Sequence, residues 1–178
     1  MVVHKRAVFL DRDGVLIKAI VKENRPYAVS SLDEVEIIDG AAQACAELSG
    51  LGFLLILVTN QPDVARGTIS RAFVDQTNKI VCNALMLDDV FVCDHDNANN
   101  CHCRKPKPGL MLDVAKKYSL DLASCIVIGD RWRDIEAGRN AGCQTVFIDY
   151  GYDEQLKGAP DHICSSLAAA VPWIREQI

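Results

Sequence analysis

The sequence has no long apolar run. Its first hydrophobic stretch, Ala7-Val8-Phe9-Leu10, is cut off by the charged Asp11 and is too short for a signal peptide or a membrane span. The chain passes from Met1 straight into that stretch, so the expected compartment is the cytoplasm and no membrane partner is expected. It also lacks an excess of basic residues. The formal charge is −5, the wrong sign for a broad nucleic-acid footprint, which needs a basic surface to displace counterions. There is no internal repeat, low-complexity segment or linker. A chain of 178 residues is long enough for one substantial core and rather short for two, so a single domain over residues 1–178 is expected.

What the chain does contain is an ordinary globular balance, 49% apolar and 24% charged residues. It also has eight cysteines. Without an export signal these are read as core thiols or metal ligands rather than disulfides. Five apolar, β-branched runs end abruptly in polar residues: Ala7 to Asp11, Leu54 to Asn60, Val90 to Cys93, Ile126 to Asp130 and Thr145 to Asp149. Helical patterns lie between them over Ala41 to Leu51, Arg71 to Leu87, Leu110 to Tyr118 and Ile135 to Ala141. This alternation predicts an α/β fold with a doubly wound parallel sheet, whose ligands bind beyond the carboxyl ends of the strands. Asp11, Thr59, Asn60, Cys93 and Asp130 all stand at such ends.

Asp11 and Asp13 are two residues apart at the end of a buried strand, where alternate side chains share a face. At roughly 6–7 Å and an effective dielectric near 20, their repulsion is about 2–3 kcal/mol, which calls for a cation or a shared proton. Magnesium suits an all-oxygen site of this kind. By itself Asp-x-Asp-Gly is equally well a turn with solvated acids. Gly129-Asp130-x-x-x-Asp134 adds one acid at another strand end and a second near a helix start, where it can be a partner of the site or an N-cap. Thr59 and Asn60 supply a hydroxyl and an amide, or caps. Lys105, held extended by Pro106, can present an ammonium to a phosphoryl group.

In order and spacing these residues resemble the four motifs of the haloacid dehalogenase-like phosphatases, from about Arg6 to Tyr150. The resemblance implies that Asp11 is the nucleophile and that Asp13 protonates the leaving group and later activates water. Thr59 and Lys105 would hold the phosphoryl oxygens, and magnesium would be bound by Asp11, Asp130 and the main-chain carbonyl of Asp13. The gaps from Asp13 to Thr59 and from Thr59 to Lys105 leave no room for a large cap domain, so an open site is expected.

Cys93, His95, Cys101 and Cys103 form C-x-H-x5-C-x-C, four soft ligands that suit a tetrahedral zinc site in a loop over residues 93–103. His102 is an alternative to His95. With four protein ligands the zinc is expected to be structural, fixing Arg104 and Lys105 over the active site. The other cysteines, Cys45, Cys82, Cys125, Cys143 and Cys164, are read as buried thiols.

Asp-Arg-Asp-Gly, Thr-Asn-Gln and Cys-Arg-Lys-Pro narrow the resemblance to the heptose-bisphosphate and histidinol-phosphate phosphatases. Val64-Ala65-Arg66-Gly67 and the Pro108-Gly109 pair favour the heptose branch. The short cysteine loop is nearer the histidinol-phosphate branch, and Lys18 to Tyr27 is longer than in the heptose enzymes. The implied substrate is a small phosphorylated metabolite, with Asn60, Arg104 and Arg131 as substrate contacts and D-glycero-D-manno-heptose 1,7-bisphosphate, losing its 7-phosphate, the first expectation. Histidinol phosphate is the alternative within this chemistry; a non-catalytic zinc-loop binding module and a nucleic-acid 3'-phosphatase are the more distant ones. A monomer is the default.

Overall fold

The structure is a computed structural model and describes residues 5–178; the lead-in read at Met1 to His4 lies outside the described residues. Six parallel strands form one sheet: β1 (Ala7–Leu10), β4 (Leu54–Asn60), β5 (Asp89–Cys93), β6 (Ile126–Gly129), β7 (Gln144–Ile148) and β8 (His162–Cys164). The order across the sheet is β5-β4-β1-β6-β7-β8. β1 is apolar throughout, and β4 is apolar up to its carboxyl end, because both faces are covered, as parallel sheets require. Side chains alternate along β1, Val8 and Leu10 pointing into one core and Ala7 and Phe9 into the other.

The first core is closed by α1 (Ala41–Gly50), α2 (Arg71–Leu85) and α5 (Leu167–Glu176), through residues such as Leu48, Val81 and Ile174. The second is closed by α3 (Gly109–Tyr118) and α4 (Trp132–Ala141), through Leu110, Met111, Val114 and Ala137. The expected doubly wound sheet is therefore present, with element ends shifted by a few residues. No helix among the described residues is long and apolar enough to cross a membrane.

Chain order reverses at β1, which runs beside both β4 and β6, with Leu10 opposite Leu57 and Ile128. A doubly wound sheet opens its binding crevice at such a reversal. No large cap domain stands over it among the described residues. The segment after β1 forms instead a two-stranded antiparallel hairpin, β2 (Ile20–Lys22) and β3 (Arg25–Tyr27). Its two turn residues, Glu23 and Asn24, both have positive φ (49° and 58°), the turn geometry that matches the twist of paired strands. This hairpin, β8 and α5 are additions to the elements expected from the sequence.

Candidate active site

Asp11 follows β1, Thr59 and Asn60 end β4, Asp130 follows β6, and Asp134 sits in the first turn of α4. Together with Asp13, Arg104 and Lys105 they line one pocket. Strand ends far apart in the chain thus supply one site, as the strand-end reading expects.

Lys105 is the centre of its charge arrangement. Its buried ammonium donates to Asp11 Oδ1 at 2.8 Å and to the Val58 carbonyl at 3.0 Å, and pairs with Asp134 Oδ1 at 2.6 Å. Burial works against that charge, but Asp11 and Asp134 more than offset it and hold the lysine pKa above its ordinary value. The other oxygen of Asp134 accepts the backbone N–H of Arg131 at 3.1 Å. Asp134 is thus both the cap of α4 and an ion-pair partner; burial raises its pKa to about 6.

Asp130 differs from its neighbour. Both of its carboxylate oxygens are buried without a hydrogen-bond partner. Burial, then Asp11 and Asp134, push its pKa well up. An orphaned buried carboxylate is costly unless a proton or a cation completes it. One oxygen each from Asp11, Asp130 and Asp134 lie within 4.8 Å of one another. Since Asp134 is already engaged on both oxygens, Asp11 and Asp130 are the pair with ligand capacity to spare. Gly14 makes this approach possible: its φ is +87°, and a Cβ there would lie 2.1 Å from Asp130 Oδ2.

Asp13 is held by two residues, Arg12 and Gln61, to which the motifs alone assign no role. Arg12, 0% exposed, donates Nε to Asp13 Oδ2 at 3.1 Å and Nη2 to Oδ1 at 3.3 Å, while its Nη1 is anchored on Asn78 Oδ1 of α2 at 3.0 Å. Gln61 Nε2 donates to Asp13 Oδ2 at 3.0 Å and to Thr59 Oγ1 at 2.9 Å. Burial raises the pKa of Asp13, Arg12 opposes the rise, and Asp11 adds to it, leaving it above the usual carboxylate range. Their adjacency to Asp13 and Thr59 was the only signal in the sequence.

Two expected substrate contacts are turned toward the protein. Asn60 exchanges two hydrogen bonds with the backbone of Lys105, Nδ2 to the carbonyl at 3.0 Å and Oδ1 from the N–H at 3.1 Å; it fastens β4 to the lysine segment. Arg131 closes in parallel on Glu154, Nε to Oε2 at 2.7 Å and Nη2 to Oε1 at 2.8 Å. Arg104 lines the same pocket as Asn60 and Arg131, with Nε on Asn97 Oδ1 at 2.9 Å and Nη1 on the His95 carbonyl at 3.1 Å.

Beside this pocket, one ligand atom each of Cys93, His95, Cys101 and Cys103 lie within 4.8 Å of one another. The Cys93–Cys101 and Cys101–Cys103 sulfur separations are 3.6 and 3.5 Å, and His95 Nδ1 is 3.7 and 3.5 Å from Cys93 and Cys103. A tetrahedral zinc with sulfur ligands near 2.3 Å has edges of about 3.8 Å, so the cluster has the right size for that ion. His102 points elsewhere, its Nε2 3.0 Å from Asp113 Oδ2. Gly109 lets the loop close on α3, since a Cβ there would meet the His102 carbonyl at 2.3 Å. The isolated Cys45, Cys125 and Cys143 are buried thiols whose pKa values burial pushes up to about 12, 11 and 12; Cys82 and Cys164 are half-buried.

Comparison with known proteins agrees with this geometry. The family model described as HAD-hydrolase-like matches residues 102–170. The D-glycero-β-D-manno-heptose-1,7-bisphosphate 7-phosphatase of Bordetella bronchiseptica is 32% identical over 182 residues, covering 97% of this chain and 99% of that protein. The enzyme of the same name from Pasteurella multocida is 33% identical over 178 residues, 92% of this chain and 94% of that one. Among solved structures, the B. bronchiseptica D,D-heptose 1,7-bisphosphate phosphatase, crystallised with magnesium and phosphate, superposes with a TM-score of 0.83 at 31% identity, over 98% of this chain and 99% of that one. Fold and site together define a haloacid dehalogenase-like hydrolase acting on phosphoric monoesters. Within that class the chain belongs to the heptose-bisphosphate phosphatase family.

Proposed function

We propose that this enzyme removes the 7-phosphate of D-glycero-D-manno-heptose 1,7-bisphosphate through an aspartyl-phosphate on Asp11. The observation that carries the reading is the unpartnered Asp130 carboxylate beside Asp11 and the buried Lys105, an acidic site completed by a cation and a phosphate rather than by the protein. The names of the relatives supply the substrate.

In the first step an Asp11 oxygen attacks phosphorus in line, the P–O bond to the sugar breaks, and the departing oxygen takes the proton of Asp13. The raised pKa of Asp13 favours the protonated form that this step needs. In the second step Asp13, now a carboxylate, removes a proton from water as that water attacks phosphorus. The bond to Asp11 then breaks, releasing phosphate and regenerating the enzyme. Dividing the reaction this way replaces one difficult displacement by two easier ones. Arg12 and Gln61 orient Asp13 for both proton transfers. The Thr59 hydroxyl, accepting from Gln61, keeps its own proton for a phosphoryl oxygen, and Lys105 supplies positive charge beside it.

Asp11, Asp130 and the Asp13 carbonyl would hold magnesium. When bound, that ion disperses charge on the phosphoryl oxygens and relieves the repulsion between Asp11 and Asp130. Cys93, His95, Cys101 and Cys103 would hold a structural zinc, since four protein ligands leave no open position. Its loop leads directly into Arg104, whose two hydrogen bonds to Asn97 and His95 depend on the loop's shape.

The test is phosphate release from heptose 1,7-bisphosphate and from histidinol phosphate, with Asp11→Asn run beside the parent. The bisphosphate is expected to be the better substrate and the variant inactive on both. Activity surviving in Asp11→Asn removes the nucleophile, and preference for histidinol phosphate replaces the substrate.

A further inference from the structure

Four arginines line the pocket around Asp11: Arg66, Arg104, Arg131 and Arg133. Their charges are not equally available. Arg131 is matched by Glu154 on two nitrogens, and its third, Nη1, donates to the Pro26 carbonyl at 3.4 Å. All three nitrogens are thus engaged, and the guanidinium braces the β2–β3 hairpin against the loop after β7. The same two segments are tied again by Asn24, whose Nδ2 donates to the Gly151 carbonyl at 2.9 Å. Arg66 is paired with Asp63 at 3.1 Å on the exposed rim.

Arg104 and Arg133 have no such match. The two hydrogen bonds of Arg104 go to neutral oxygens. Arg133 makes no ion pair among the described residues; its guanidinium lies over the Trp132 ring, 5.1 Å from the centroid. Lys157 Nζ lies 3.8 Å from the same centroid. Burial, and then the nearby charges of Arg133 and Arg66, lower the pKa of Arg104. Like charges gathered in a partly desolvated cleft are unfavourable until an anion joins them, just as the acids at its floor are until a cation does.

We propose that Arg133, together with Arg104, forms a subsite for a second anionic group of the substrate, a phosphate ester other than the one transferred, and that Arg131 is a positioning residue bracing the hairpin wall. Guanidinium recognises phosphate with paired, charge-assisted hydrogen bonds, and a guanidinium lying over an aromatic ring keeps its N–H groups free to make them. The proposal deepens the bisphosphate reading and rests on it. It moves the specificity contact from Arg131, two residues along the chain, to Arg133.

The test is steady-state kinetics on the metal-loaded full chain with heptose 1,7-bisphosphate and with p-nitrophenyl phosphate, which carries a single phosphate. Inhibition of the second reaction by fructose 1,6-bisphosphate and by fructose 6-phosphate is measured alongside. In Arg133→Gln the ratio of kcat/KM between the two substrates is expected to fall about 10–100-fold, mainly through KM, with inhibition by the sugar bisphosphate weakened in parallel and much of the loss recovered in Arg133→Lys. Arg131→Gln is expected to lower kcat on both substrates in the same proportion and leave the ratio in place. An unchanged ratio in Arg133→Gln, or a selective loss in Arg131→Gln, overturns the subsite. If the parent does not turn over the heptose but is inhibited far better by the sugar bisphosphate than by the monophosphate, through Arg133, the substrate reading falls and the subsite stands. Turnover of the heptose with KM indifferent to Arg133 means the reverse. Equal inhibition of the parent by both sugars overturns the subsite as well.

Discussion

Asp11, Asp130 and Asp134 reach one site from two strand ends more than a hundred residues apart, whereas Cys93, His95, Cys101 and Cys103 all lie within a single loop. The carboxylate cluster contains its own countercharge, since Lys105 spans Asp11 and Asp134. The thiol cluster has three sulfurs and one imidazole at the separations of a metal tetrahedron, with neighbouring sulfurs 3.5–3.6 Å apart. A site drawn from a packed sheet inherits its shape from the core, whereas a site made by one loop must obtain its shape from the ligand it binds. The first should therefore depend on charge balance and the second on metal.

The largest expected effect comes from breaking the charge balance. Lys105→Met leaves Asp11, Asp130 and Asp134 uncompensated, and loss of one partner of a buried ion pair costs about 3–5 kcal/mol. Urea unfolding should show that loss without divalent cation and a smaller one with magnesium present. Activity should fall by on the order of 10²–10³-fold. An equal loss of stability with and without magnesium would mean that lysine and metal do not share the same acids.

Removal of zinc is the intermediate case. Stripping the Cys93–Cys103 loop, or Cys101→Ser, should lower activity roughly 10–100-fold with magnesium in excess, because Arg104 loses the loop that orients it. Amide exchange should accelerate across residues 93–107 while β1 and β6 stay protected. Full activity in folded protein shown to be zinc-free would detach the loop from catalysis.

The smallest effect is a pH dependence confined to the carboxylate side. Burial raises Asp134 from 3.8 to about 6, so the folded chain binds that proton more tightly than the unfolded one. The stability it contributes is full below pH 3.8 and is lost as pH rises through about 6. Asp134→Asn resembles the protonated form at every pH. In metal-free buffer its Tm relative to the parent should therefore climb by about 2–5 °C between about pH 4 and pH 7. A flat or falling difference would show that Lys105, rather than burial, dominates Asp134.

Much of this molecule was legible as sequence, for reasons that can be stated residue by residue. Ala7 to Leu10 and Ile126 to Gly129 read as strands because both of their faces are buried, so every position is apolar. The C-x-H-x5-C-x-C spacing marked its cluster because the four side chains are close along the chain. The β2–β3 hairpin was not legible: Lys22, Glu23, Asn24 and Arg25 are exposed and carry no hydrophobic alternation. Its position depends on Asn24 and Arg131 reaching segments far away in the chain. β8 escaped for a related reason, being three residues long at the edge of the sheet and only partly buried. By contrast, α5 buries Leu167, Ala170, Val171 and Ile174 at helical spacing but carries Pro172 inside it, a residue that reads as a helix breaker.

The sequence by itself determined the alternating strands and helices, the order of the acidic motifs and the composition of the cysteine loop, because each of these follows from residue type and local spacing. Only the tertiary structure decided how the charges pair. Arg12 on Asp13, Lys105 between Asp11 and Asp134, His102 on Asp113 rather than in the thiol cluster, and Arg131 on Glu154 with Arg133 left unmatched are all choices among similar side chains. Adjacent residues of like chemistry differ in partner because the backbone turns them in different directions, and that direction is set by packing across the whole sheet.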